Sequence, residues 1–236
     1  MSTLLLQDDF SDQANSSLLQ ALLAHPLIEF APGQGPDGKN AVRVSYVGFD
    51  MGSQRIVVDY PIGRLLTKAR LTYSVFFEDD FQWTQGGKLP GLGPLHHLAG
   101  GRDRRKNGWS ARSMFLTDGH CRNYLYDQSD ALWGEGAVTT EPVFQKNVWH
   151  QVDLEVGLNT AGASDGFIKM FLDGSLILED KGVMYAGEDS SEAKIQMLLF
   201  HTFHGGQTPD WAPQDENGNY VRVHARFADF EVMDLD

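Results

Sequence analysis

Apolar and polar residues alternate with a period of two over 41–47, 70–77, 110–116, 148–156, 167–172, 195–203 and 225–232. That period is the mark of strands with one buried face. Asp37-Gly38, Asp118-Gly119, Asp165-Gly166 and Asp173-Gly174 punctuate the runs as turns. One stretch, 16–25, breaks the pattern. Leu18, Leu19, Leu22 and Leu23 make an apolar helical face there, Ser16 or Ser17 is placed to cap it, and Pro26 ends it. Many half-buried strands with one short N-terminal helix predict an all-β chain, a jelly-roll β-sandwich of two antiparallel sheets.

The segment 167–178 reads as a hairpin turning at Asp173-Gly174, after a strand holding Trp149 and Val152. Concanavalin-like sandwiches carry such segments, and in them a concave sheet forms a glycan groove. This speaks to fold and not to chemistry. No repeat, low-complexity tract or linker interrupts the 236 residues, so one domain over 1–236 is expected. A chain of this length buries roughly 70–75% of its unfolded surface and needs no staple. Cys121 stands alone, which excludes an intramolecular disulfide. The first ten residues lack a basic n-region, and no run of eighteen apolar residues occurs. No membrane span is predicted; either the protein stays inside the cell or a leader has been removed from it, and of the two a secreted or periplasmic location is expected.

Charge changes the picture more than composition does. The net charge of −13 argues against nucleic acid as a partner. Within 88–122, however, seven cations stand against Asp103 and Asp118, a local +5. The run Arg102 to Lys106 supplies four of them and fits a solvated loop as well as an anion-capturing surface.

Three clusters hold candidate chemistry. Gly86-Gly87-Lys88-Leu89-Pro90-Gly91-Leu92-Gly93 surrounds one lysine with conformational punctuation. Taken alone, the run reads first as an ordinary Gly-rich turn with an exposed lysine, and the phosphate-loop spacing is absent. In 109–115, strand alternation puts Ser110 and Arg112 on one face. In 123–127 it does the same for Tyr124 and Tyr126. The turn at Asp118-Gly119 would bring the two pairs together in a hairpin, although a solvated outer face could carry the same residues. Such a set suits β-elimination from a uronate. The carboxylate is neutralised by cations, a base takes the C5 proton, and an acid protonates the departing O4. Nearby Lys and Arg are expected to lower a tyrosine's pKa toward that task.

The runs GGKLPGLG, GWSARSMF and NYLYD together resemble the alginate lyases of polysaccharide lyase family fourteen and the related fungal glucuronan lyases. The resemblance extends over about 70–232. It includes Trp149-His150, Leu158-Asn159-Thr160 with Asp165-Gly166, Phe203-His204-Gly205-Gly206, Trp211-Ala212-Pro213 and Phe227-Ala228-Asp229-Phe230. It implies a β-jelly roll and a lyase acting on an anionic polysaccharide, alginate first, with glucuronan or another uronan as the alternative. The catalytic set it implies is Lys88, Ser110, Arg112, Tyr124 and Tyr126, with Arg102, Trp109, His201, His204 and Trp211 lining the substrate. Arg112 and Lys88 would hold the carboxylate, a tyrosine would relay the proton, and Ser110 would orient the sugar. No metal or other cofactor is implied, and a monomer is expected. The chain departs from the family at Pro94-Leu95-His96-His97, where more glycine is usual. His201 replaces a small hydroxyl residue and His204 an aromatic one.

Two other functions fit the fold. A non-catalytic glycan-binding module would use Trp83, Trp109, Trp133 and Trp211 as stacking platforms. A retaining glycosidase needs two carboxylates about 5–5.5 Å apart. Glu78 and Asp80 begin the usual Glu-x-Asp-x-x-Glu run, but Trp83 takes its last position.

Overall fold

The alternating segments build two antiparallel sheets packed face to face, in a computed structural model that describes residues 2–100 and 106–236. In chain order the first elements are β1 (Thr3–Asp8), α1 (Ser17–Leu23), β2 (Ile28–Ala31), β3 (Ala41–Phe49), β4 (Gly52–Ser53), β5 (Ile56–Leu66) and β6 (Lys68–Phe77). Then come β7 (Gly87–Gly93), β8 (Ser110–Phe115), β9 (Cys121–Tyr126), β10 (Trp149–Gly157) and β11 (Gly166–Leu172). The chain ends with β12 (Ser175–Val183), β13 (Ile195–His204) and β14 (Arg222–Asp234). The larger sheet runs β12-β11-β10-β6-β14-β3-β2, with β1 on β14 and β4 on β3. The smaller sheet runs β5-β13-β7-β8-β9. Among the described residues no helix is long and apolar enough to cross a membrane.

All seven segments predicted by alternation are strands, because each has one face in the shared core. The helix is capped as expected: the Ser16 hydroxyl accepts from the Leu19 N–H at 2.9 Å. One reading is corrected. The Gly-rich run around Lys88 is a central strand of the smaller sheet and not a turn. β5 was missed too. Pro61 and Gly63 obscure its pattern, and a proline is tolerated there because β5 is an edge strand.

The core lies between the sheets. Phe200 of β13 meets Phe227 of β14 edge-to-face at 5.1 Å, and Phe77 of β6 meets Phe115 of β8 at 5.9 Å. Each such ring contributes about 1.5–3 kcal/mol through burial. Two buried hydrogen bonds tie the layers, Tyr46 to Thr202 and Tyr73 to Ser113. The inner face of the small sheet is thereby occupied, and its outer face is left for chemistry.

Candidate active site

Lys88, Ser110, Arg112, Tyr124 and Tyr126 come together on the outer face of the five-stranded sheet. The β8–β9 hairpin turns through Asp118 and Gly119, both at positive φ (59° and 85°), which aspartate tolerates and glycine adopts without strain. Its register pairs Arg112 with Tyr124 and Ser110 with Tyr126, so the four share one face.

Lys88 joins them through a bulge. It pairs with Met114 while Gly91 pairs with Arg112, so three steps along β7 match two along β8. In a regular strand, residues three apart face opposite sides of the sheet, and the bulge is what puts Lys88 and Gly91 on the same one. Pro90 sits inside this irregularity, where no ladder N–H is required of it.

Gly91 matters in a second way. A Cβ there would lie 2.1 Å from the Ala111 carbonyl oxygen and 2.5 Å from Arg112 Cγ, so it would crowd the β8 backbone and the arginine together. Its absence lets the arginine side chain cross β7 and reach β13, where Arg112 Nη1 lies 2.8 Å from His201 Nδ1. Arg112 Nη2 donates to the Ser110 hydroxyl at 2.9 Å and to the Leu98 carbonyl at 3.3 Å. The Ser110 hydroxyl donates in turn to the same carbonyl at 2.7 Å. Ser110 and Arg112 are buried, at 0% and 1% exposure.

Lys88 is enclosed by rings. Its Nζ lies 4.9 Å from the centre of Tyr124 and 4.8 Å from that of Phe203. Burial, then the cations Arg112 and Arg55, push its pKa down to about 7. The Tyr124 and Tyr126 hydroxyls are 3.0 Å apart. The expected lowering of the phenol pKa fails at Tyr126. Its pKa is raised well above the usual range, by burial first and then by the Tyr124 hydroxyl, and Arg112 only partly offsets this. Tyr126 therefore holds its proton.

The remaining predicted residues are scattered. Trp109 is wholly buried on the inner face, its indole N–H bonded to the Ala193 carbonyl at 2.7 Å. His204 is also wholly buried, stacked on Phe81, with Nε2 2.6 Å from the Gln82 carbonyl oxygen. Neither can touch a sugar, so their expected substrate-lining role is withdrawn. Both fall on the core-facing parity of their strands. Trp211 is half-buried against the cluster of Leu98, Met114, Tyr124 and Tyr126. Arg102 lies outside the described residues, as do Arg104 and Arg105.

His201 is on the site face, and it brings partners that sequence reasoning missed. Its Nε2 is 2.7 Å from Asp59 Oδ1 of β5, and the His97 ring stands edge-on at 5.0 Å. Burial, reinforced by Arg112 and opposed by Asp59, pushes the His201 pKa down to about 4, so the ring is neutral near pH 7. Burial alone would raise the Asp59 carboxyl, but its bond to His201 and the nearby His97 and Arg112 hold it below the usual value. His201 and the His96-His97 pair were the sequence's signals of this cluster, and nothing near Asp59 announced it.

Asp59, His97 and His201 also place three donor atoms within 4.8 Å of one another, as do Glu78, Asp80 and His224. In the second group Glu78 already accepts from Arg43 and Arg226. A cavity of about 240 Å³ lies on the outer side of the larger sheet. Asp8, Asp9, Asp229 and Glu231 line it beside a single cation, Lys39, a charge that repels a polyanion.

A two-sheet sandwich presenting cations and paired phenols on one outer face defines a glycan-processing protein of the lyase kind. The profile of Polysaccharide lyase 14 matches residues 57–224, and the chain belongs to that family. Among solved structures, the marine PL-14 alginate lyase from Aplysia kurodai is 21% identical. The alignment covers 87% of this chain and 86% of that one at a TM-score of 0.70. Alginate lyase vAL-1 from Chlorella virus is 19% identical, with 98% and 99% covered and a TM-score of 0.70. The endo-beta-1,4-glucuronan lyase from Trichoderma reesei is 14% identical, with 87% and 85% covered at 0.59. At these identities the likeness speaks for the fold. No curated protein sequence matches the chain.

Proposed function

We propose that this polysaccharide lyase cleaves alginate by β-elimination, with Lys88 as the proton acceptor, Tyr126 as the proton donor and Arg112 as the carboxylate's partner. The observation that carries this reading is the contrast between Lys88, with a pKa near 7, and Tyr126, well above its ordinary value, on one face. A base works best with a pKa near the operating pH, and an acid must still hold its proton when it is needed. Two groups pushed apart in this way are an acid–base pair.

The uronate carboxylate acidifies C5–H only if its charge is neutralised. Arg112 Nη2 can meet it by exchanging its longest bond, 3.3 Å to the Leu98 carbonyl, for a charge-assisted one. Neutral Lys88 then removes the C5 proton. The electrons form the C4–C5 double bond, the bond from C4 to O4 breaks, and Tyr126 protonates the departing oxygen. Tyr124, bonded to Tyr126, can pass the proton back. Ser110 fits a role beneath Arg112 better than one beside the sugar, since its hydroxyl already serves Arg112 and Leu98.

The test is digestion of alginate, with glucuronan in parallel, followed by ultraviolet absorbance and reducing-end assay. Unsaturated ends should accumulate with alginate. New reducing ends without that absorbance would mean hydrolysis, and faster cleavage of glucuronan would move the substrate assignment.

A further inference from the structure

We propose that Asp59 and His201 form a positioning relay that aims the Arg112 guanidinium, a role that rests on the alginate-lyase reading of the site. The chain of contacts spans the small sheet from its β5 edge to β8. Asp59 Oδ1 lies 2.7 Å from His201 Nε2, and His201 Nδ1 lies 2.8 Å from Arg112 Nη1.

The chemistry of the partners sets the direction of each bond. A guanidinium has only donors, so His201 Nδ1 must be the acceptor. The neutral ring then carries its hydrogen on Nε2 and donates it to Asp59. The carboxylate polarises the imidazole toward Nδ1 and strengthens its hold on Arg112. Ser110 holds Nη2 from another direction. With His201 on Nη1 and Ser110 on Nη2, the guanidinium is fixed at both of its terminal nitrogens.

The fold is shaped around this contact. Gly91 opens the path across β7. Gly93 leaves room for His97, whose Cβ would lie 3.1 Å from a Cβ at that glycine, and the His97 ring packs against His201. The relay excludes a metal on the same donors in this tautomer. A cation on His201 Nε2 would take its lone pair, force the hydrogen onto Nδ1 and set it against the Arg112 N–H.

The experiment uses the whole chain and alginate, with initial rates of unsaturated-end formation for single and double variants. A wild type that makes no unsaturated ends would sink the parent reading, and the inference is judged only on an active wild type. His201→Leu should lower kcat/KM by roughly 10–100-fold, while His201→Gln should recover most of the loss. The Gln carboxamide has an acceptor for Arg112 and a donor for Asp59. Asp59→Ala should cost less than His201→Leu, and it should add nothing in the His201→Leu background, since it acts through that ring. Asp59 is exposed at a sheet edge, so its variant should fold even if a His201 variant does not. Circular dichroism and melting curves check each one. The relay is overturned by independent, multiplying losses from Asp59→Ala and His201→Leu, by a dead but folded His201→Gln, or by activation of the wild type with added zinc.

Discussion

Replacing Lys88 with arginine separates two roles that lysine could play. Arginine keeps the positive charge at every accessible pH and cannot accept a proton. At a pKa of about 7, half of Lys88 is neutral at pH 7. An ordinary lysine at that pH is only ~0.03% neutral, so the enclosure by Tyr124 and Phe203 and the field of Arg112 and Arg55 enlarge the basic population ~10³-fold. If that population removes the C5 proton, Lys88→Arg should lower kcat by about 10²–10⁴-fold, or about 3–5 kcal/mol of barrier. KM should change little. The wild-type kcat/KM should rise with pH until about 7 and then level, because protonation of the base in the free enzyme removes activity below that point. Arg55→Gln supplies an internal check. It removes one of the cations that lower Lys88, so the acid limb should move to higher pH. The assay is initial-rate ultraviolet absorbance on alginate at constant ionic strength, since screening would distort the limb. Near-normal kcat in Lys88→Arg, or an acid limb that ignores Arg55→Gln, would make Lys88 a fixed charge and refute the assignment.

Tyr126→Phe keeps the ring and removes the hydroxyl, so it should melt normally yet lose about 10²–10⁴-fold in kcat. His204 stays neutral in the fold down to about pH 4, whereas an unfolded histidine binds its proton near 6.5. Stability should therefore fall by a few kcal/mol as pH drops through that window, and His204→Phe should flatten the decline in melting temperature. Phe200→Ala should cost about 3–5 kcal/mol, read by denaturant unfolding, and a smaller cost would mean that the two sheets close over the gap. Charge reversal at Arg104 and Arg105 should raise KM more than it lowers kcat if the basic run steers substrate, and unchanged kinetics would leave it a solvated surface.

What the sequence revealed and what it hid divide along physical lines. β11 and β14 were legible because buried and partly exposed residues alternate along them, which forces a period of two on their residues. Ser110 and Arg112 could be set beside Tyr124 and Tyr126 because a short hairpin makes register a local property. β7 was illegible for the converse reason. Its glycines and Pro90 carry no alternation, and the bulge that brings Lys88 to the site face depends on pairing with β8. Trp109 and His204 misled because an aromatic or a histidine in a motif looks functional, although strand parity sends both to the core. The Tyr126 pKa was misjudged because cations near a phenol can be counted in a sequence and the depth of its burial cannot.

Asp59 and His201 are 142 residues apart and belong to strands adjacent in the sheet but not in the chain. Their meeting follows from the order β5-β13-β7-β8. That order puts β7 between His201 and Arg112, where any side chain at Gly91 would part them. The glycines that made the run around Lys88 read as a turn are thus what a strand needs when an arginine must lie across it. Gly91→Ala should consequently displace Arg112 and also press on the Ala111 carbonyl and the β7–β8 pairing, so its initial rate on alginate should fall below that of His201→Leu and its melting temperature should drop as well.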